Sequence, residues 1–197
     1  MNFLHRIVAR PAVYDVVQKL CGCELSMHRI RELAADPAGI TVLDVGAGTG
    51  NGLRALPPKA RYLWLDNDPL KLTGLRVKGR TVMAVLGSAT AMPLRSKSVD
   101  TALCIAMSHH LDDREVLDLF AELARVCRNR LVFVDPVECP KSLVSRLLWM
   151  CDRGSHPRPA AVLRGLVQQR FAIESEEEYA IYHHYWICAA RPLDSVI

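Results

Sequence analysis

Long apolar runs are missing from this chain. None approaches the roughly 18 consecutive apolar residues that a helix needs to cross a bilayer. The opening stretch, MNFLHRIVARPAVYD, lacks both the apolar core of roughly 7–15 residues and the small-residue cleavage site of a secretory signal. Paired metal-ligand cysteines are missing too. Of seven cysteines, Cys21 and Cys23 form a lone C-x-C with no second pair nearby. The odd count and loose spacing suit free thiols in a reducing compartment better than a disulfide or zinc framework. Strong charge of one sign is lacking: a formal +4 permits an anionic ligand without requiring nucleic acid. There is no internal repeat and no low-complexity segment. With 50% apolar and 23% charged residues, the 197-residue chain suits one soluble core. The expectation is a cytoplasmic protein with no bound metal.

Strand and helix patterns alternate between residues 41 and 134. TVLDV (41–45), Tyr62–Leu65, Val82–Leu86, Val99–Ile105 and Leu131–Val134 are short, apolar and partly β-branched. Such strands belong in a parallel sheet covered on both faces. Between them the spacing predicts a helix from Asn51 to Leu56, a short one starting at Pro69, and an amphipathic one over Asp113–Cys127. In the last, Val116, Leu117, Phe120, Leu123, Ala124 and Cys127 share a face. Further helices are expected at 12–35, 141–151 and 160–169. Ala172–Ala180 and His183–Ala190 read as a terminal hairpin. The fold class is α/β: a doubly wound, mostly parallel seven-stranded sheet with a C-terminal antiparallel hairpin and an N-terminal helical cap. One domain covers 1–197, with a cap at 1–36, a core at 40–135 and substrate-side elements at 136–197. Ligands of such sheets sit beyond the carboxyl ends of the strands. There the polar groups gather, at Asp44–Gly50, Asp66–Asp68, Gly87–Ala89, Ala106–His110 and Asp135–Glu138.

The first of these ends reads VLDVGAGTGNG (42–52). Gly46, Gly48 and Gly50 alternate, which allows a tight turn with a ligand against the backbone. No lysine followed by Ser or Thr closes it, so it is not a Walker loop. A dinucleotide frame begun at Gly46 ends on Asn51, where glycine is required. Asp44, at the strand end, would repel a pyrophosphate and attract an ammonium group. Asp66 follows twenty-two residues later, at the end of the next strand, where an acid accepts from ribose hydroxyls. The two acids therefore fit a nucleoside with a cationic amino-acid tail and no phosphate.

VLDVGAGTG, LDNDP and GSATAMPLRSKSVDTALCIAMSHHLDD together resemble the class I S-adenosylmethionine-dependent methyltransferases. The group containing the ubiquinone and menaquinone biosynthesis methyltransferases is nearest in style. The resemblance covers residues 40–135 in motif detail and the layout of 136–190. It implies a Rossmann-like sheet, S-adenosyl-L-methionine as cofactor, and transfer of its methyl group to a small-molecule or lipid-like acceptor. Asp44 and the backbone of Gly46, Ala47, Gly48 and Gly50 would face the methionine part, together with Met107. Asp66 would take the ribose hydroxyls, with Asn67 beside the adenine and Ser88 and Ala89 at its edge. Ser88 departs from the aspartate common there, and a hydroxyl accepts more weakly.

His109 and His110 follow the fourth strand and are the candidate catalytic residues, since imidazole titrates near neutrality. Tyr14, Asp135, Glu138 and Trp149 are candidate substrate contacts. Residues 139–170 carry six Lys or Arg and a single acid, Asp152, beside the apolar run KSLVSRLLWMC. That composition suits a buried helix with solvated ends, and it also permits contact with an anionic membrane surface. The acidic ESEEE at 174–178 and the absence of an aromatic-plus-basic groove argue against nucleic acid. Two other readings share the sheet: a nicotinamide-dependent dehydrogenase, opposed by Asp44 and the broken glycine frame, and a non-catalytic binding domain, opposed by the intact loop and acids.

Overall fold

Apolar residues at alternate positions of successive strands send one set to each face of a sheet, and this alternation organises the core. The computed structural model describes residues 23–34, 40–73, 80–139, 142, 145, 149, 156–181 and 183–193. Its strands are β1 (Thr41–Val45), β2 (Arg61–Asp66), β3 (Val82–Leu86), β4 (Val99–Ile105), β5 (Cys127–Val137), β6 (Phe171–Ala180) and β7 (His184–Pro192). They form one seven-stranded sheet in the order β3-β2-β1-β4-β5-β7-β6. β7 pairs antiparallel with both β5 and β6, while the pairs from β3 to β5 are parallel. The expected mixed sheet and terminal hairpin are present. The order reverses between β1 and β4, and in such sheets ligands bind at the carboxyl ends of the strands at this point.

On one face Leu43, Val45, Ala102, Cys104, Leu131 and Phe133 meet α2 (Asp113–Val126) and α3 (Ala160–Gln168). Phe120, Phe133 and Trp186 form a chain of rings there, with centroids 5.3 and 5.8 Å apart. Val42, Tyr62, Trp64, Leu103 and Val132 point the other way and pack with Met27 and Ile30 of α1 (Cys23–Leu33). Among the described residues, no helix is long and apolar enough to cross a membrane.

Several elements differ from the sequence expectation. Asn51–Ala55 is a 3₁₀ turn rather than an α-helix, because Gly50 enters it at φ 82° and Leu56 leaves it extended before two prolines. Residues 67–73 form turns, capped where the Asp68 carboxylate accepts from Leu70 N–H at 2.9 Å. In α2 the buried stripe is Val116, Leu119, Phe120, Leu123 and Val126, and Leu117 is solvent-exposed. Leu117 lies about 100° around the helix from Val116, off the stripe. Its N-terminus carries a capping box: Asp112 accepts from Arg114 and Glu115 N–H, and Glu115 accepts in return from Asp112 N–H. α2 passes without a loop into β5, which begins four residues before the expected Leu131. Residues 1–22 and 35–36 of the expected cap and most of 141–151 lie outside the described residues.

Candidate active site

The glycine loop takes its shape from positive φ angles at Gly46 (66°), Gly48 (55°) and Gly50 (82°), a conformation that costs a side-chain-bearing residue about 1 kcal/mol or more. A Cβ on Gly46 would lie 2.3 Å from Met107 Cγ, so the loop is glycine there for two reasons. β2 braces the loop from beneath. Trp64 donates its indole N–H to Gly48 O at 2.9 Å, and Tyr62 donates its hydroxyl to Asp44 Oδ2 at 2.5 Å. These aromatic residues alternate on the face that β2 turns toward α1, and neither stood out as functional in the sequence. A Cβ on Gly52 would come within 2.1 Å of Asp44 Oδ2, so the fourth glycine makes room for the carboxylate.

Asp44 is 1% exposed, and its second oxygen, Oδ1, has no partner among the described residues. Burial, opposed by the Tyr62 hydrogen bond and aided by Asp66, raises its pKa from 3.8 to about 7. A buried carboxylate oxygen left without a donor is costly. It fits the ammonium of an amino-acid tail, which would draw Asp44 to its charged form. Asp66 is also buried. Its Oδ2 accepts from Gly48 N–H and its Oδ1 from Asp68 N–H, each at 2.9 Å, and Lys71 Nζ stands 3.7 Å from Oδ1. Each oxygen retains a second lone pair for a ribose hydroxyl. Asn67 is exposed beside it. Ser88 turns its hydroxyl to Thr90, 2.8 Å away, and Ala89 is half-buried in the same turn. That segment is held to α2 where Glu122 accepts from Met92 N–H and Arg125 donates to Met92 O and Leu94 O. Met92 itself is core. Asp100 accepts from Thr41 N–H and Arg128; the first of these bonds does most to hold its pKa low.

Beyond β4 the chain reverses at Ala106, which adopts φ 48° although it is not glycine. Strain at a non-glycine residue marks a segment that its surroundings hold in place. Met107 then covers Gly46, and a 3₁₀ turn, Ser108–His110, follows. His109 is 4% exposed, and its Nδ1 lies 2.6 Å from Asp135 Oδ1 on β5. Asp135 Oδ2 accepts from the Ser108 hydroxyl and from His109 N–H. Asp135, expected at the substrate, is therefore 1% exposed and engaged by the imidazole. A carboxylate accepting at Nδ1 selects the tautomer with its proton there, which leaves Nε2 as the basic nitrogen. His110 is exposed, its ring 4.2 Å from that of His109.

Trp149 meets the His109 ring edge-on at 5.5 Å and the His183 ring at 5.2 Å. Its indole N–H is buried without a partner among the described residues. Ser145 Oγ lies 3.2 Å from His183 Nδ1. Glu138 is exposed at the end of β5, and Tyr14 lies outside the described residues. Of the six cations in 139–170, Arg158 is buried against the Ser108–Asp113 segment and Arg164 pairs with Glu176 and Glu178. Two charges expected at a solvated or membrane-facing surface are thus satisfied within the chain. The sequence reading passed over Tyr62, Trp64, Ser108 and Arg158. The alternation of two aromatics in the strand beside the glycine loop was the available signal for the first pair.

The sheet is Rossmann-like, and the glycine loop and the two buried acids stand at the carboxyl ends of β1 and β2. Residues 42–130 match the family described as a methyltransferase domain. An uncharacterized methyltransferase of Geobacillus sp. (strain WCH70) is 28% identical over 132 residues, 64% of this chain and 62% of its own length. One from Geobacillus thermodenitrificans is 27% identical over 111 residues, 54% of this chain and 52% of its own. The chain thus spans between half and two thirds of these curated relatives. Among solved structures, the pyocyanin biosynthetic protein PhzM superposes with a TM-score of 0.75 at 21% identity, over 98% of this chain and 62% of that one. An S-adenosylmethionine-dependent methyltransferase from Methanosarcina mazei gives 0.69 at 18% identity, over 80% and 94%.

Proposed function

We propose that this chain transfers a methyl group from S-adenosylmethionine to a small acceptor that must lose a proton, with His109 as the general base. The observation that carries the reading is the continuity of one short segment. Met107 rests on Gly46 of the cofactor loop, and two residues later His109 is buried against Asp135. The donor loop and the base are thus joined through one short segment, in contact with the loop at Met107 and carrying the base at His109.

In this reading Asp44 holds the amino group, the Gly46–Gly50 backbone lies along the methionine part, and Asp66 takes the ribose hydroxyls. Asn67, Ser88 and Ala89 border the adenine. When bound, the cofactor supplies a methyl group already activated by its sulfonium. His109 would take the acceptor's proton at Nε2, leaving the acceptor's oxygen or sulfur as the nucleophile for that methyl group, and would release the proton to solvent. Asp135 orients the imidazole and stabilises the imidazolium, a positioning role rather than a substrate contact. The Trp149 N–H and the ring edges around it support a planar, hydrogen-bond-accepting molecule over an acyl chain. A quinol of the kind methylated in ubiquinone or menaquinone synthesis falls within that class.

Calorimetry with S-adenosylhomocysteine tests the donor half. Asp66→Ala should weaken binding by about tenfold or more, the scale of a lost charge-assisted bond; unchanged affinity would remove the ribose assignment. The base is tested on a panel of phenols and thiols. His109→Gln should slow transfer by about 10²–10⁴-fold with S-adenosylhomocysteine affinity unaltered. Equal rates in variant and parent would sink the role of His109.

A further inference from the structure

Arg158 is the most deeply buried cation among the described residues, 6% exposed, and no step of the proposed reaction uses it. Its guanidinium has four nearby acceptors, three of them on the 108–113 segment. Nη1 donates to Ser108 O at 3.2 Å and to His156 O at 3.3 Å. Nη2 donates to Leu111 O and to Asp113 Oδ1, both at 2.9 Å, and Nε reaches the same Asp113 oxygen at 3.3 Å. Ser108 and Leu111 bracket His109 and His110. The adjoining backbone adds two bonds: His156 N–H donates to His109 O at 3.1 Å, and Glu138 N–H donates to Arg158 O at 3.0 Å. The segment 156–158 therefore straps the turn after β4 to the end of β5, the strand that carries Asp135.

We propose that Arg158 is a positioning residue that fixes the His109 imidazole against Asp135, by tying the carbonyls on either side of His109 to the strand end that supplies its carboxylate. The inference rests on the reading of His109 as the base. The 3₁₀ turn is only three residues long and follows a strained alanine, so its own hydrogen bonds are few. A planar fork with several donors can hold carbonyls that diverge from one another, whereas a lysine ammonium would reach one or two of them. A shorter, neutral side chain such as glutamine reaches fewer still and lacks the charge.

The test reads the imidazole itself, in the intact chain labelled with ¹⁵N-histidine, with His109→Gln assigning the signal. In the parent, His109 should show one neutral tautomer with its proton on Nδ1, slow to exchange with solvent. Arg158→Gln should speed that exchange by about tenfold or more, the factor carried by one lost charge-assisted bond. It should also mix the two tautomers. Arg158→Lys should fall between the two. Should Arg158→Gln fail to fold, Asp113→Asn loosens the same guanidinium from a side chain that is 96% exposed, and should shift exchange in the same direction by less. A parent-like His109 signal in a folded Arg158→Gln or in Asp113→Asn, even with a lowered melting temperature, would overturn the proposal and leave Arg158 a structural residue. S-adenosylhomocysteine affinity should stay at the parent value in each variant. Absent binding in the parent itself would instead defeat the methyl-transfer reading, while the His109 signal would still report whether Arg158 positions the ring.

Discussion

Asp44 concentrates the electrostatics of this molecule in one side chain. Its carboxyl is buried, one oxygen is bonded to Tyr62 and the other has no described partner, and its pKa is raised from 3.8 to about 7. In the unfolded chain it would ionise near the lower value. Between about pH 4 and pH 7 the folded state therefore holds a proton that the unfolded state has released. The stability contributed by this group is present below pH 4 and lost as pH rises to about 7. Asp44→Asn should consequently be more stable than the parent at pH 8, by up to a few kcal/mol at about 1.4 kcal/mol per unit, and nearly equal to it at pH 4. Thermal melts across that range check the sign. In the same variant S-adenosylhomocysteine should bind about 10- to 100-fold more weakly at pH 8, since an ammonium loses its charged partner. Parent affinity should itself fall below pH 7, and a flat profile there would count against Asp44 as the ammonium site.

At the scale of elements, β2 and α2 do the positioning. β2 presents Tyr62 and Trp64 on one face, one reaching the acid and the other a carbonyl of the glycine loop. α2 begins at the capping box of Asp112 and Glu115 directly after the His109 turn, and ends by running straight into β5. Its first turn thus sets where His109 stands, and its last sets the register of the strand that carries Asp135. Asp112→Ala removes the carboxylate that accepts from two helix N–H groups and should destabilise the fold, seen as a lower urea midpoint with an unchanged slope. A change in slope would mean that the cap holds more than its own helix.

For the molecule as a whole, one sheet with a core on each face carries the stability. Phe133 lies between Phe120 and Trp186, fully buried where β5 meets α2 and β7. Phe133→Ala should cost about 3–5 kcal/mol, and denaturation followed by fluorescence and by circular dichroism should shift together. Non-coincident curves would show that the β5–β7–β6 side unfolds apart from the rest. Much of this architecture was legible in the sequence, because each feature depends on neighbours along the chain. Short β-branched runs separated by helical patterns determine a parallel sheet, alternating glycines after a strand determine a tight ligand loop, and an apolar stripe at helical spacing over 113–127 determines a helix. Asp44 and Asp66 were legible for the same reason, each standing at a strand's end. What only the tertiary structure decided are the pairings between distant residues: His109 with Asp135, Tyr62 with Asp44, and Arg158 with the carbonyls of the 108–111 turn. No local pattern encodes them. They exist because the sheet order sets β4 beside β5 and β1 beside β2, and because a buried charge is tolerated only where the fold brings it a partner.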